Sequence, residues 1–140
     1  MIDIQPFRTG HMTDFAVQNV QRIEISPEGV KALEHQHAFT AFAGSRPVLI
    51  AGLAEQWAGR ALAWALVSRL AGAHMTALVR VMRRALDTAP YDRVEATVLR
   101  SFAPGIRLVD MLGFQLEAPV LRKYRGDRDY ALFARVRHVV

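Results

Sequence analysis

The stretch SRLAGAHMTALVRVMRR, residues 68–84, carries the clearest fold signal of the chain, the passage from an apolar run into an amphipathic segment. It follows an uncharged apolar run, ALAWALVS at residues 61–68, and opens with small residues around Gly72. Its apolar side chains then recur with the spacing i, i+3, i+4, i+7 and i+11, which predicts an amphipathic helix over about residues 72–87. These side chains are Met75, Leu78, Val79, Met82 and Leu86. The sequence therefore predicts a strand, a tight turn and a helix in succession.

The turn before this helix has two interpretations. The first N–H groups of a helix lack internal acceptors and lie at the positive end of the helix dipole, so a loop of small residues there can wrap a phosphate. Ala71, Gly72 and Ala73 leave that space, and Arg69 adds positive charge. However, a glycine before a helix often provides only steric relief in a tight connection. The residues alone leave both interpretations open.

Length and composition restrict the class of protein. A chain of 140 residues suits a single domain over residues 1–140, and 51% hydrophobic with 22% charged residues is ordinary for a soluble globular protein. No apolar run approaches the roughly 20 residues of a membrane span, and the N-terminus does not resemble a signal peptide, so we expect a cytoplasmic protein. The absence of cysteine excludes disulfides, thiolate metal sites and cysteine nucleophiles.

The charge balance is basic but dispersed. Lys and Arg number 18 against 13 Asp and Glu, which gives a net charge of +5. The arginines are scattered, the longest run of like charge is Arg83-Arg84, and no nucleic-acid-binding motif is present. We therefore do not expect nucleic acid as the main partner, although the basic balance suits contact with an acidic one.

The remaining elements follow from alternation, caps and turn residues. Thr13 or Asp14 is a candidate cap for a first helix, and SPE at residues 26–28 begins a second. Pro104 and Gly113 bracket a short later helix. The predicted strands are residues 2–7, 37–44, 48–56, 61–68 and 93–99, one from Phe114, and one that completes a final hairpin around Gly126 and Asp127.

The element order is β-α-α-β-β-β-α-β-α-β-β, which excludes a helix bundle or a β-sandwich. It predicts an α/β (α+β) fold, with a mixed, mostly antiparallel central sheet of about seven strands and four helices. Because the run at residues 61–68 carries no charge, its strand should be central and covered on both faces.

This order, with a central apolar strand feeding a small-residue loop, resembles the GCN5-related N-acetyltransferase (GNAT) family. The family's loop pattern is [QR]-x-x-G-x-[GA], which RLAGAH at residues 69–74 matches at Arg69 and Gly72, whereas His74 stands where the family prefers glycine or alanine. The resemblance implies acetyl-CoA as cofactor, with its pyrophosphate on the backbone amides of residues 70–75 and its pantetheine arm along the preceding strand. The implied cofactor-binding residues are Leu66, Val67, Arg69, Leu70, Ala71, Gly72, Ala73, His74 and Met75.

A second match lies near the C-terminus. The family pattern N-x-x-A-x-x-L-Y-x-x-L-G-F resembles FAPGIRLVDMLGF at residues 102–114, where Leu108, Leu112, Gly113 and Phe114 agree. Phe102 and Gly105 replace the family's asparagine and alanine, and Val109 replaces its tyrosine. That tyrosine is the usual general acid that reprotonates the leaving thiolate in the family, and valine cannot do this.

The segments AWAL, AGxHM, RRALD, APY and a final RDY hairpin also resemble acetyltransferase-like proteins of bacteriophages, some of them associated with the virion. Two functions follow from these resemblances. The first is an N-acetyltransferase that acts on an amine the sequence does not identify. The second is a catalytically silent structural or assembly protein with a GNAT fold, in a phage particle. An enzyme must leave the space above Gly72 open, whereas a structural descendant could fill it with His74 or Met75.

Acetyl transfer needs a base for the amine, a polarised thioester carbonyl and an acid for the sulfur. Glu55 and Glu95 are candidate bases, and ion-paired or solvated carboxylates are the alternative for both. By the resemblance, the Val67 backbone amide would polarise the carbonyl. The candidate replacement acids are Ser101, Tyr124 and Tyr130.

His35 and His37 make at most an incomplete metal site, so we predict no metal. Trp57 and Trp64 should anchor the core or cover its edge. The apolar C-terminus, HVV at residues 138–140, would suit either contact with a second copy or fraying.

Overall fold

The computed structural model describes residues 2–16 and 37–137. These residues form seven strands, two α-helices and two short 3-10 helices. The strands are β1 (Ile2–Pro6), β2 (His37–Ala43), β3 (Arg46–Trp57), β4 (Arg60–Val67), β5 (Arg93–Leu99), β6 (Gln115–Arg125) and β7 (Arg128–Val136). The helices are α1 (Met75–Thr88) and α2 (Ala103–Met111), with 3-10 helices at Thr9–Asp14 and Gly72–His74. None of the helices in these ranges is long and apolar enough to cross a bilayer.

The strands form one seven-stranded sheet in the order β1-β2-β3-β4-β5-β7-β6. The pairs β1–β2, β2–β3, β5–β7 and β6–β7 are antiparallel, whereas β4 pairs with β5 in parallel through residues 60–62 and 93–95. The predicted fold class is therefore confirmed. The uncharged run forms the central strand β4, as expected, although most of its side chains are only half-buried.

Two-residue turns set the strand register. Gly44 and Gly126 begin the turns of the β2–β3 and β6–β7 hairpins with φ of 63° and 65°, a left-handed conformation that favours glycine. The residues around these turns pair directly across the hairpins, Ala43 with Arg46 and Arg125 with Arg128. The predicted turn positions are therefore confirmed.

The N-terminal helix prediction needs correction. Thr13 and Asp14 are the last residues of the first 3-10 helix rather than caps of a following one, and Phe15 is already extended, with φ −88° and ψ 120°. The imidazole of His11 accepts the Arg8 N–H at 3.2 Å and so caps the start of this 3-10 helix, whereas the part of the predicted helix beyond residue 16 lies outside the described residues. The predicted helix start at residues 26–28 lies outside the described residues.

The chain divides into two compact units, Met1–Ala54 with Trp64–Arg84, and Glu55–Ala63 with Ala85–Val140. In the first unit, the described residues include a core cluster of Phe7, Phe15, Ile50 and Leu66. Trp64 packs against this cluster as predicted, and its ring lies so close to Gly52 that a Cβ there would be 2.5 Å from it. The prediction of a single domain over residues 1–140 stays a prediction.

In the second unit, arginines of the C-terminal segment cap both helices. Arg137 Nη2 donates to the carbonyl oxygens of Leu86, Asp87 and Ala89 at 3.3, 3.2 and 2.9 Å, at the end of α1. Arg135 pairs with Asp87 and donates from Nε to the Leu112 carbonyl oxygen at 3.2 Å, just after α2. The last carbonyls of a helix lack internal donors, so these guanidinium groups satisfy them and complement the helix dipole.

Replacing the Arg137 guanidinium should therefore destabilise the second unit. We expect Arg137→Ala to lower the free energy of unfolding by about 1 kcal/mol, measured by urea denaturation. Arg122→Ala is the matched control, because that arginine is exposed on β6, and it should change stability by less than about 0.5 kcal/mol. Equal effects of the two substitutions would contradict the capping role.

Candidate functional site

The β4–α1 loop, residues 68–75, is anchored at its start by three hydrogen bonds. The buried Ser68 donates its N–H to the Val48 carbonyl oxygen at 3.0 Å, and Arg69 donates its N–H to the Ala16 carbonyl oxygen, also at 3.0 Å. Ser68 Oγ accepts the Leu70 N–H at 3.0 Å. The serine hydroxyl thus shapes the turn through a local hydrogen bond. A serine at this position allows such a bond, but the sequence alone does not show that it forms.

The next amides of the loop fall into two groups, those that donate within the loop and those that do not. Ala71 and His74 donate within the loop, to the carbonyl oxygens of Ser68 at 3.1 Å and Ala71 at 2.8 Å, and Met75 donates to that of Gly72. Gly72 and Ala73 are the first residues of the helical turn, where N–H groups have no intrahelical acceptor. Within residues 70–75, these two amides are the donors directed away from the protein backbone.

The space on the side-chain side of Gly72 is open. A Cβ placed on Gly72 would meet no atom within 4 Å, and both Gly72 and Ala73 are exposed. His74 and Met75 are half-buried and do not occupy the position of that Cβ. Neither side chain therefore fills the space beside Gly72, and binding of a ligand there stays a prediction.

Helix α1 follows the loop with one apolar and one cationic face. Leu78, Met82 and Leu86 are buried, which confirms the predicted stripe. Arg80, together with the adjacent pair Arg83-Arg84, is exposed. At the loop itself, the exposed Arg69 and the positive end of the helix dipole favour an anion.

The two strand residues implied in cofactor binding differ in burial. Leu66 is part of the core cluster with Phe7, Phe15 and Ile50, whereas Val67 is half-buried at the end of β4. A buried leucine side chain leaves only its backbone to contact a ligand. The contact of both residues with a pantetheine arm stays a prediction.

In the second unit, Glu95 is fixed between two arginines. Its oxygens accept from Arg60 Nε and Nη2 at 2.8 and 2.9 Å and from Arg93 Nε at 2.7 Å. Arg93 continues the network to Glu117, at 2.6 and 3.1 Å. The hydrogen bonds from Arg60, and then those from Arg93, hold the pKa of Glu95 below its usual value against the opposing effect of burial. A carboxylate held in this way is a weak base, so these contacts favour the ion-paired role for Glu95.

Glu55 lies exposed near the end of β3, where it accepts a hydrogen bond from Tyr91. Tyr91 is only 3% exposed, and burial, followed by the contact with Glu55, raises the pKa of its hydroxyl. Sequence reasoning missed Tyr91, because a tyrosine in the segment APYD after a helix gives no signal beyond a turn. The pair joins a candidate base to a buried proton donor.

The candidate acids lie at the other end of β5. Tyr130 is buried and pairs with Leu99, and the ring of the exposed Tyr124 lies 5.6 Å from its ring. Ser101 is exposed two residues after β5 ends. Val109, at the position of the family's tyrosine, is buried in α2 at 7% exposure.

The structure therefore separates the candidates into groups. Ser101, Tyr124 and Tyr130 are near one end of β5, whereas Glu55 and Tyr91 are near the other. Glu95 precedes Leu99 by four residues, about 13 Å along an extended strand.

His37 and Trp57 lie at the ends of strands β2 and β3. His37 is exposed at the start of β2, and His35 lies outside the described residues. Among residues 2–16 and 37–137, no three side chains of His, Asp or Glu are grouped so that they could hold a metal ion. Trp57 is 64% exposed rather than in the core, because it lies beside the β3–β4 turn, where the Arg60 guanidinium stacks 4.7 Å from its ring centre.

No protein-family model and no curated protein matches the sequence. Solved structures do match it over nearly its whole length. Ard1 from Thermoplasma volcanium is 13% identical, with a TM-score of 0.79 over 99% of each chain. The ribosomal-protein-S18-alanine N-acetyltransferase from Escherichia coli is 15% identical, with a TM-score of 0.74 over 100% of this chain and 96% of its own. A GNAT-family acetyltransferase from Bacillus anthracis is 11% identical, with a TM-score of 0.72 over 96% and 94%. The chain therefore has the fold of GNAT acetyltransferases.

The role of Glu95 can be tested through the pH dependence of stability. Because its pKa is lowered in the folded protein, its stabilisation is present above the ordinary carboxyl pKa of about 4.3 and is lost as the pH falls through the lowered value. We expect Glu95→Gln to cost about 2 kcal/mol at neutral pH, measured by urea unfolding, with the difference from wild type shrinking as the pH approaches about 2.

Glu117→Gln is the control for this measurement, because the Glu117 side chain is 40% exposed and contacts Arg93 alone among the arginines of the network. Its cost at neutral pH should be smaller than that of Glu95→Gln, because solvent screens the exposed pair with Arg93. If the decrease in unfolding free energy caused by Glu95→Gln does not change with pH, the packing of the side chain rather than its charge explains the decrease.

Proposed function

We propose that this protein is a GNAT-fold N-acetyltransferase that binds acetyl-CoA through residues 69–75 and transfers the acetyl group to an amine. The observation that carries the proposal is the pair of amides on Gly72 and Ala73, at the start of the 3-10 turn that leads into α1, where N–H groups have no intrahelical acceptor. Such donors in an exposed turn of small residues, with Arg69 beside them, support the binding of a phosphate.

In this proposal the pyrophosphate oxygens accept hydrogen bonds from the Gly72 and Ala73 amides. The resemblance assigned all amides of residues 70–75 to the phosphate, but four of them donate to acceptors within residues 68–72. Their role is then to fix the turn so that the two free amides keep their direction. The exposed Arg69 and Arg80 add positive charge, and the bound cofactor supplies the activated acetyl thioester.

The acid–base chemistry falls to the groups that remain available. Glu55 is the better candidate base, because Glu95 is held ionised between Arg60 and Arg93. Ser101 and Tyr124 are exposed and are the candidate proton donors to the thiolate in place of Val109. The amine acceptor stays open, since solved neighbours with this fold carry names as different as a spermidine and a ribosomal-protein-alanine acetyltransferase.

The second function is a catalytically silent assembly protein of a phage particle, and Val109 supports the loss of catalysis in it, whereas the phage particle rests on the sequence resemblance alone. The buried side chain of Val109 leaves that position of α2 without a proton donor. The exposure of Gly72 and Ala73, with nothing within 4 Å of a Cβ at Gly72, favours the enzyme. The first function places the protein in the cytoplasm, where acetyl-CoA is available, and the second places it in a virion.

Calorimetric titration with acetyl-CoA tests the proposal. We expect binding in the micromolar range for the wild type, and a loss of affinity of about 20-fold or more for Gly72→Glu, because a carboxylate there repels the phosphate. Gly72→Glu should fold normally, since a Cβ at Gly72 meets nothing within 4 Å and its φ is not positive.

Two controls make the titration specific. Gly72→Ala adds a methyl group without charge, so it should weaken binding less than Gly72→Glu does. Gln115→Glu adds the same charge on the exposed start of β6 and should leave binding unchanged. A folded wild-type protein that binds no acetyl-CoA would refute the proposed enzyme and favour the assembly protein.

A further inference from the structure

The N-terminal segment, residues 7–16, contacts the β4–α1 loop directly. The Ala16 carbonyl oxygen accepts the Arg69 N–H at 3.0 Å, and Arg69 is the first residue after the Ser68 bridge to β3. Phe15, beside Ala16, is buried in the cluster that also contains Leu66 of β4. The carbonyl that holds the start of the loop therefore belongs to a segment outside the strand–turn–helix unit.

This segment is fastened to the sheet by the Phe7 N–H, which donates to the Ala38 carbonyl oxygen at 3.1 Å, and by the side chain of His11. Its Nδ1 lies 2.7 Å from Thr40 Oγ1, on β2, and accepts the Arg8 N–H at 3.2 Å. Thr40 is fully buried, and the imidazole lies with its ring at a steep angle to those of Phe7 and Phe42, with centres 6.1 and 5.1 Å away. A buried hydroxyl needs a hydrogen-bond partner, and His11 provides it.

The contacts define the protonation state of the imidazole. Because Nδ1 accepts the Arg8 N–H, it carries no proton, and the neutral ring is protonated on Nε2. The Thr40 hydroxyl then donates to the same nitrogen. With a second proton, on Nδ1, the ring would point an N–H at the Arg8 N–H, and the two donors would lose their hydrogen bond. The Thr40 hydroxyl would have to accept instead of donate. The charged ring therefore fits this position less well than the neutral one.

We propose that His11 is a positioning residue for the β4–α1 loop: its neutral imidazole holds the first 3-10 helix on β2, and that helix holds the Ala16 carbonyl against the Arg69 N–H. Protonation of His11 releases this brace and weakens anion binding by the loop. The choice of acetyl-CoA as ligand rests on the proposed function, whereas the brace itself rests only on the contacts of residues 7–16.

Other charged groups near His11 have to be separated from its effect. The β1–β2 register places Asp3 and Gln5 opposite Phe42 and Thr40, on the face that contacts His11, and Gln5 donates to Asp3 at 3.0 Å. Arg8 is next to the 3-10 helix, and His37 begins β2 on the alternate face. His74, in the loop, would act with the opposite sign, since a charged imidazole there attracts phosphate.

Two substitutions isolate His11. His11→Asn places an amide oxygen near the position of Nδ1, which still accepts from Arg8 and Thr40 but does not titrate. Thr40→Val keeps the shape of the threonine and removes its hydroxyl. The measurements are amide hydrogen exchange at Arg69, expressed as protection relative to the intrinsic rate, and calorimetric acetyl-CoA affinity, both between about pH 7.5 and about pH 5.5 on either side of the ordinary histidine pKa.

We expect the wild-type protein to lose about fivefold in Arg69 protection and in acetyl-CoA affinity over this range, a loss that His11→Asn abolishes. Thr40→Val should lower Arg69 protection already at pH 7.5. The proposal is overturned if Arg69 protection in the wild type and in His11→Asn shows the same pH dependence. If the wild type binds no acetyl-CoA at any pH, the proposed function fails, and the Arg69 exchange still decides whether the brace exists.

Discussion

The tight passage from β4 into α1 is the constraint on which the candidate site depends. The N–H groups of Ser68 and Arg69 are fixed by carbonyl oxygens of β3 and of the N-terminal segment, and the Ser68 hydroxyl fixes Leu70. Once these bonds are made, the following amides have few remaining orientations. The direction of the Gly72 and Ala73 donors is therefore a consequence of packing around the loop and does not need a ligand to create it.

Charge plays two different roles in this molecule. On the second unit, Arg60 and Arg93 enclose Glu95, and Arg135 and Arg137 complete the ends of helices, so these arginines stabilise the fold. Along α1, Arg80 is exposed and contributes to the field around the loop. The arginines thus have two separate roles, and the net charge of +5 does not distinguish between them.

The sequence predicted the fold well because its signals are local. The apolar spacing from Met75 to Leu86 defined α1, and alternation placed β5 at residues 93–99, where the structure has it. Contacts between distant residues gave no such signal. The hydrogen bond between Ala16 and Arg69, the capture of Glu95 by Arg60 and the Glu55–Tyr91 pair depend on which strands are neighbours. The 3-10 helix at Thr9–Asp14 was also missed, because the His11 side chain that caps its start leaves no mark in the apolar spacing.

The central claim is that the Gly72 and Ala73 amides hold a phosphate, and nuclear magnetic resonance of nitrogen-15-labelled protein tests it most directly. On addition of acetyl-CoA, we expect the amide protons of Gly72 and Ala73 to shift downfield more than any others in residues 68–75, because in the proposed complex they gain an anionic acceptor. Binding that leaves these two resonances unchanged while shifting those of other residues would contradict the account and place the ligand elsewhere.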